Sequence, residues 1–317
     1  LPSYRLYNVY NIGKDPNGNT TASRNPVKYN SNIVSELIKT YEVGFDARLF
    51  NRLGIDFSYY KTNATNQLIS LPMNPQSGYS SEVINAGNIE NKGIEIVLDA
   101  NIIKSENGFS WDSRVNFSRN INKIIALTDD VNTYPLGGFD NLAVRAVTGE
   151  LYGNIYGTKY QRVTDENSEH YGKLLLNGSG LPQATGQQLL GNQSPKALAG
   201  WTNSFAYKNV SLSFQIDGRF GGEFFSGTNV NLQANGAAAV TAPNGLREDF
   251  IVDGVIASGN SYVVNDKTVT QQQYWTQVAT SGNLGIGEAN IYDATNIRLR
   301  NISLNYRLQR TKMKNTF

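Results

Sequence analysis

A strict two-residue alternation is the feature that most constrains this chain. Across residues 40–49 every odd position is apolar and every even position is not. The apolar positions are Tyr41, Val43, Phe45, Ala47 and Leu49. Because 39% of the chain is hydrophobic, such a split arises by chance in roughly one window in a thousand, and it predicts a β-strand with one apolar face.

The same alternation returns along the chain and predicts three hairpins with short turns. The further alternating segments are residues 53–60, 94–100, 109–118, 201–207, 210–217 and 297–308. The turns fall at residues 50–52, 104–108 and 208–209. In the last segment the apolar positions change phase by one residue near Asn301, which predicts a β-bulge. The chain is therefore predicted to be an antiparallel all-β protein.

Strand length favours a membrane barrel. The predicted strands run about 10 to 13 residues, which is longer than the usual 5 or 6 and long enough for the roughly 9 to 11 that cross a bilayer. Long polar connections are predicted at residues 61–89, 121–142, 163–195 and 223–291. Short turns at one rim and long loops at the other are typical of outer-membrane barrels. Two weaker strands, 142–150 and 154–162, are predicted as further crossings.

Composition excludes several classes of protein. The mean hydropathy is −0.39, and no apolar run approaches the ~18 residues of a membrane-spanning helix. The net charge of +2 does not support nucleic-acid binding. The chain contains no cysteine, which excludes disulfide frameworks, cysteine-zinc sites and thiol catalysis.

Several motifs resemble the SusC/RagA-type TonB-linked outer-membrane transporters, and they occur in that family's order. They are SELIKTYEVGFD at 35–46, NRLGIDFSYYK at 51–61, NAGNIENKGIE at 85–95, NFSRN at 116–120, YKN at 207–209 and IRLRNISLNY at 297–306. The resemblance covers most predicted strands and little of the long loops. It implies a barrel of about 22 strands around an N-terminal plug, of which this chain would be one segment.

The resemblance also sets expectations for function. Nothing in the chain matches a plug domain or a TonB box, so residues 1–317 are expected to be the C-terminal portion of the barrel. The implied role of the intact protein is TonB-dependent uptake of an oligosaccharide or a peptide across the outer membrane of a Bacteroidota-like Gram-negative bacterium. The implied partners are TonB, a SusD-like surface lipoprotein and outer-membrane lipid.

Loop aromatics are the candidate ligand-binding residues, because sugar rings and peptides stack on exposed aromatic side chains. These candidates are Tyr79, Tyr152, Tyr156 and Tyr160. The aromatic residues of the apolar strand face are expected to contact lipid. The charged residues of the polar face are expected to form a solvated wall of the lumen. They are Glu42, Asp46, Arg48, Asp56, Glu95, Asp99, Asp112 and Arg114.

No catalytic, cofactor or metal site is predicted. The single histidine, His170, lies in a long loop without a nucleophile motif or a second histidine, so a solvated side chain is expected. Adjacent acids at 129–130 and 165–166 lack the other oxygen ligands of a calcium loop. Two alternatives stay open. A secreted β-sandwich that binds glycans would bury its apolar strand faces. A soluble hydrolase would need a carboxylate pair that includes Asp46 or Glu95.

Overall fold

The computed structural model describes residues 6–105, 108–128, 131–280 and 284–308. The chain divides into two compact units, each described by itself below. Unit 1 comprises Leu1–Tyr134, Val147–Leu151 and Ser204–Lys208, and unit 2 comprises Pro135–Ala146, Tyr152–Asn203 and Asn209–Phe317. Among the described residues, the helices are too short or too polar to span a bilayer.

Unit 1 consists mainly of long antiparallel strands. Its strands are β1 (Tyr10–Lys14), β2 (Thr20–Arg24), β3 (Val27–Lys28), β4 (Leu37–Leu49), β5 (Leu53–Pro72), β6 (Ser81–Ile103) and β7 (Phe109–Ala126). Strands β4, β5, β6 and β7 pair in sequence order with neighbours antiparallel, and the short β3 pairs in parallel with β6. The first two predicted hairpins are therefore confirmed.

The register of the long sheet keeps the predicted faces together. Phe45 pairs with Phe57, Phe57 with Ile96, and Ile96 with Phe117, so one row of the apolar face crosses all four strands. This face is not covered by a second layer, because Tyr41 is 73% exposed and Phe45 56%. The exposure contradicts the β-sandwich alternative, in which these residues would be buried between two sheets.

The long strands extend beyond the prediction. Strands β5, β6 and β7 contain 20, 23 and 18 residues, and the predicted loop at 61–89 is wrong. Its residues continue the pairing as far as Pro72 opposite Ser81, which leaves only residues 73–80 as the connection. The sequence signal ends earlier because residues 62–67 of β5 are polar or small on both faces and Leu68-Ile69 are adjacent apolar residues. Alternation of apolar and polar residues is therefore lost while backbone pairing continues.

The chain continues with shorter strands that leave the long sheet. They are β8 (Thr133–Phe139), β9 (Leu142–Val147), β10 (Asn154–Tyr160), β11 (Leu175–Leu176) and β12 (Ala184–Asn192). Strand β10 pairs antiparallel with β9 and β12 in a sheet of order β12–β10–β9–β8. The prediction that 142–150 and 154–162 cross the membrane is wrong, because β9 and β10 have only 6 and 7 residues and lie in this separate sheet.

The last long strands are β13 (Ala197–Tyr207) and β14 (Val210–Phe220), on either side of the predicted turn at 208–209. Strand β14 pairs antiparallel with the C-terminal strand β21 (Asn296–Tyr306). Its partners step from Asn301 to Leu299, so Arg300 is the extra residue of a bulge and the predicted phase slip is confirmed. The apolar face of β21 is exposed, with Leu304 at 73%.

The remaining elements of unit 2 form a folded loop region between β14 and β21. Its strands are β15 (Glu223–Phe225), β16 (Phe250–Ile251), β17 (Val255–Ser258), β18 (Ser261–Val264), β19 (Thr268–Val269) and β20 (Ile291–Asp293). Its helices are α1 (Gly227–Ala234) and α2 (Gln271–Thr280), with short 3-10 turns at 239–241, 243–245 and 287–290. Small apolar cores form around Leu142 and Ile155 and around Leu176, Val252 and Val269.

Candidate functional site

Helix α2 is fixed at its N-terminus by a reciprocal pair of hydrogen bonds. The Thr270 hydroxyl accepts from the Gln273 backbone N–H at 3.1 Å, and the Thr270 N–H donates to the Gln273 side-chain oxygen at 2.9 Å. This capping box satisfies two backbone donors that a helix start otherwise leaves unpaired. It sets where the next two residues, Tyr274 and Trp275, lie on the helix.

Tyr274 and Trp275 belong to an aromatic cluster. The Tyr274 ring lies edge-on to Phe250 at 5.3 Å and to Trp275 at 5.1 Å between ring centroids. Phe250 and Tyr274 also pack against the Leu176 core. Trp275 is half-buried and donates its indole N–H to the Gln271 side-chain oxygen at 3.1 Å. The rings are therefore held in place before any ligand arrives, which lowers the entropic cost of binding.

Three clefts surround this cluster. The first, of about 220 Å³, lies between α1 and α2. A second of about 390 Å³ is lined by Tyr274 and Trp275, and a third of about 750 Å³ by Tyr274 and Phe250. The first is lined largely by neutral polar side chains, among them Gln233, Asn235, Thr241, Gln271, Gln272 and Thr276. Aromatic surface beside amide groups can stack on a ring or chain and hydrogen-bond to its polar groups.

The end of β10 is joined to the 3-10 turn at 287–290 by an ion pair. Arg162 donates to both carboxylate oxygens of Glu288, at 3.0 and 2.8 Å. The Tyr160 backbone N–H donates to the same carboxylate at 2.8 Å. A two-point contact of this kind fixes orientation as well as distance. Glu288 raises the pKa of the Arg162 guanidinium, which stays charged.

Tyr160 connects this ion pair to the aromatic cluster. Its side chain lies beside that of Tyr274, and Arg162 lies 5.7 Å from the centre of its ring. Burial raises the pKa of both Tyr160 and Tyr274 above the ordinary tyrosine value, because an apolar environment disfavours the charged phenolate. The two phenols are therefore neutral hydrogen-bonding groups at any physiological pH.

A buried polar network joins α1 to residues 290–292. Asn290 is fully buried and donates to the Gln233 side-chain oxygen at 2.9 Å. The Tyr292 hydroxyl donates to Asn290 at 3.2 Å and accepts from Asn229 at 3.0 Å. Buried polar groups that satisfy one another in this way favour one arrangement of the elements that carry them. The network thus fixes α1, and with it one wall of the smallest cleft.

The predicted tyrosines lie in different places. Tyr79 belongs to unit 1, where the Arg24 guanidinium lies 4.8 Å from the centre of its ring. Tyr152 is half-buried just before β10, and its carbonyl accepts from Asn192 at 2.9 Å. Tyr156 lies within β10, with Arg145 at 5.4 Å from its ring centre. Among the four, Tyr160 is the residue that contacts a cleft-lining side chain, that of Tyr274.

Sequence reasoning missed the cleft residues themselves. Tyr274, Trp275 and Phe250 lie in the segment 223–291, which shows no strand alternation and is predicted as loop. The capping pattern Thr270-Gln271-Gln272-Gln273 was a usable signal for a helix that starts there. The pairing of α2 with Phe250 depends on contacts between distant segments, for which a single sequence gives no signal.

His170 is more enclosed than predicted. It packs edge-on against Tyr262, with 6.4 Å between ring centroids, and its side chain lies 3.4 Å from Glu169.

In the described part of the chain, no three histidine or acidic side chains converge as metal ligands. The acids at 129–130 lie outside the described residues. The Asp165 carboxylate accepts from the backbone and side chain of Asn167, as in an ordinary Asx turn.

The comparison with protein families decides the class. Residues 2–237 match the family model described as TonB dependent receptor-like, beta-barrel. The chain belongs to the TonB-dependent receptor β-barrel family. Membership confirms the predicted antiparallel β-barrel class and agrees with the uncovered apolar faces of β4 and β21. It also implies a location in the outer membrane, and the family is one of receptors and transporters.

Individual TonB-dependent receptors are also similar to this chain in sequence. TonB-dependent receptor P3 of Formosa agariphila is 28% identical over 303 residues, which cover 88% of this chain and 28% of the relative. Receptor P26 of the same organism is 27% identical over 215 residues, or 62% of this chain and 21% of the relative. The chain therefore spans less than a third of the length of these curated relatives.

Solved structures show the same fold. The RagAB peptide transporter matches 97% of this chain and 33% of its own, with a TM-score of 0.66 and 17% identity. The RagAB peptide importer in its open-open state gives a TM-score of 0.69 at 16% identity, over 99% of this chain and 32% of its own. These neighbours confirm the predicted SusC/RagA-type resemblance at the level of the fold.

Proposed function

We propose that residues 1–317 form the C-terminal portion of the barrel of a TonB-dependent nutrient receptor, supplying barrel wall and extracellular loops. The receptor takes up an oligosaccharide or a peptide and acts by binding and passage, without chemical change of its cargo. The observation that carries the proposal is the long, uncovered apolar face of the β4–β7 sheet. In water such a face would be a large exposed apolar patch, whereas in a membrane it is the wall that contacts lipid.

The proposed ligand surface is the cleft region around α2. Trp275 supplies a flat apolar surface, and Gln271 and Gln272 supply amide groups beside it. Tyr160 acts as a positioning residue for Tyr274, while Tyr79, Tyr152 and Tyr156 remain proposed ligand contacts. The small cleft is lined mostly by uncharged groups, which favours an uncharged polar oligomer such as a glycan or a peptide backbone.

The proposed partners follow the family and the fold neighbours. TonB would supply energy through the plug and TonB box of the intact receptor. A surface lipoprotein of the SusD-like kind would close over the cleft region, and RagAB, the named structural neighbour, is itself described as a peptide transporter. The bacterium is proposed to belong to the Bacteroidota, as the source of the curated relatives does.

A binding experiment on the intact receptor tests this proposal. The receptor is purified in detergent and titrated calorimetrically with an oligosaccharide panel and a peptide panel. Trp275→Ala is expected to weaken binding of the accepted class at least about ten-fold, the loss of ~1.4 kcal/mol that a central tryptophan contact typically exceeds. Tyr207→Ala, at an exposed aromatic beside the turn at 208–209, serves as the matched control.

The outcomes separate the parts of the proposal. If the receptor binds one panel, and that binding is lost in Trp275→Ala and kept in Tyr207→Ala, the result supports the cleft as the ligand surface. The panel that binds then identifies the class of nutrient. Binding that is unchanged in Trp275→Ala and in alanine variants of the four predicted tyrosines would contradict the proposed ligand surface. If affinity purification of the tagged receptor recovers no surface lipoprotein, the proposed partner is wrong.

A further inference from the structure

The apolar face of the β4–β7 sheet ends in a row of basic residues. Tyr41 of β4 pairs with Lys61 of β5, and Lys61 pairs with Lys92 of β6, so these three side chains share the apolar face. The next row along the strands contains Lys39, Asn63, Glu90 and Lys123, and Arg119 pairs with Ile94 in the row before. We call Lys39, Lys61, Lys92, Arg119 and Lys123 the basic patch.

Glu90 orders the centre of the basic patch. One of its carboxylate oxygens lies 2.8 Å from the Lys61 ammonium, and the other lies 3.3 Å from that of Lys92. The Glu90 side chain is only 13% exposed, while those of Lys61 and Lys92 are 44% and 42% exposed. The carboxylate is thus covered by the lysines, which keep ammonium protons available to solvent. With five basic side chains and one carboxylate, the patch has a net formal charge of +4.

The patch lies at the level where a lipid phosphate would be. From Leu49 to Tyr41 the apolar face of β4 extends eight residues, about 27 Å along the strand and about 20 Å of height at a tilt of ~40°. Tyr41 and Tyr59 end this band, as aromatic residues do at the membrane interface. The short turn at 50–52 is at the other end of these strands, and short turns mark the periplasmic rim. The patch therefore belongs to the extracellular headgroup layer.

The opposite face of the same sheet has the opposite charge. Its acidic residues outnumber Arg48 and Arg114, and Arg48 lies 3.9 Å from Asp99. These acidic residues are Glu42, Asp46, Asp56, Glu95, Asp99 and Asp112. A net positive charge is thus found only on the lipid-contacting face of this sheet, where a neutral headgroup would not require it. Charge complementarity on that face points to an anionic headgroup.

We propose that the basic patch binds the phosphate of a phosphorylated glycolipid of the outer leaflet, lipid A, whose acyl chains lie along the apolar rows below. Lys61 and Lys92 donate to the phosphate from either side of Glu90, and Lys39 and Arg119 flank them. The inference rests on the outer-membrane placement of the proposed function and goes beyond nutrient uptake. It assigns a structural lipid to one wall of the barrel.

Native mass spectrometry of the intact receptor in detergent tests this inference. The probes are phosphorylated lipid A, the same lipid after removal of its phosphate, and phosphatidylglycerol. The parent receptor is expected to retain phosphorylated lipid A best. The triple variant Lys39→Gln, Lys61→Gln and Lys92→Gln is expected to bind it about a hundred-fold less tightly, at roughly five-fold for each basic residue near the headgroups.

Two further variants control the experiment. Arg48→Gln combined with Arg114→Gln removes positive charge from the polar face and is expected to leave lipid retention unchanged. Glu90→Gln releases both lysines and is expected to strengthen retention. Equal retention of the phosphorylated and dephosphorylated lipids, preference for phosphatidylglycerol, or full retention by the triple variant would overturn the inference. Nutrient binding is measured on the same preparations, so loss of lipid retention alone leaves the proposed uptake function standing.

Discussion

The long sheet β4–β7 and the loop region between β14 and β21 differ in how they keep apolar side chains away from water. In the described residues of β4 and β5, no apolar side chain belongs to the buried core. In the loop region Val230, Val255, Val278 and Ile286 are almost fully buried. The sheet leaves its apolar face outside for lipid, whereas the loop region folds its apolar residues inward as a water-soluble protein does.

Alternation along the sequence and burial in the fold therefore carry separate information. A strand between lipid and a polar lumen needs a strict two-residue pattern, because each face meets a different solvent. A loop region surrounded by water needs only enough apolar residues to form small cores, in any order along the chain. Substitutions in the two regions should therefore differ in how much stability they cost and in which region loses it.

Gly285→Ala should unfold the loop region. Gly285 has φ +65°, and a methyl group there would lie 1.8 Å from the Val278 carbonyl oxygen, closer than any non-bonded contact allows. We expect a loss of more than about 4 kcal/mol of local stability, seen as rapid hydrogen exchange in α2. Gly259→Ala is the control, because it also has a positive φ but meets no atom within 4 Å.

The same variant separates the two regions. The receptor carrying Gly285→Ala should still migrate as a folded barrel in unheated gel samples. The contacts of Gly285 are with Val278 and with the side chains of Asn141 and Thr158, all of which belong to unit 2 and lie outside the β4–β7 sheet. If the barrel band disappears together with the protection of α2, the two regions are not independent in stability and the comparison fails.

Ile96→Arg and Val97→Arg test the two faces of the sheet with neighbouring residues. Ile96 pairs with Phe57 on the apolar face, whereas Val97 pairs with Asp56 on the polar face. An arginine at position 96 should cost about 2 to 4 kcal/mol at the bilayer midplane. At position 97 the change should be close to zero, since the guanidinium meets water and a carboxylate. Urea unfolding of the receptor in lipid vesicles measures both, and equal losses would refute the assignment of faces.

Much of the sheet can be predicted from the sequence, because one face of each strand contacts lipid and the other contacts water, and each solvent favours a different kind of side chain. Tyr41, Phe45 and Leu304 were placed on an exposed apolar face by alternation, and the structure confirms them. Beyond Lys61 the prediction of a loop was wrong, because residues 62–67 are polar or small on both faces while the strands remain paired. Pairing depends on backbone hydrogen bonds, and these carry no residue signature.

The candidate site could be predicted only in part. Tyr160 was selected as a loop aromatic, and the structure places it against Tyr274. Tyr274 and Trp275 were missed, because their position depends on Phe250 and on the Leu176 core, both distant in sequence. Long-range packing of this kind follows from three-dimensional contacts and not from local pattern.

Glu288→Gln should have a smaller effect than either substitution above. It weakens the two-point contact with Arg162, which links β10 to the turn at 287–290. Because both side chains are about one-third exposed, we expect a loss of only about 1 kcal/mol. Hydrogen exchange at the Tyr160 amide measures it. Asp253→Asn, which removes an exposed carboxylate paired with Lys173 at 3.2 Å, should cause no measurable change.

The odd positions of β4 should face lipid and the even positions should face water. Since residues 1–317 contain no cysteine, single cysteines can be introduced and spin-labelled at each position from 41 to 47 of the receptor in lipid vesicles. Collision with dissolved oxygen, which concentrates in hydrocarbon, should peak at positions 41, 43, 45 and 47, and collision with a water-soluble nickel complex should peak at 42, 44 and 46. A profile without this two-residue period, or with the two phases exchanged, would contradict this assignment of the two faces of β4.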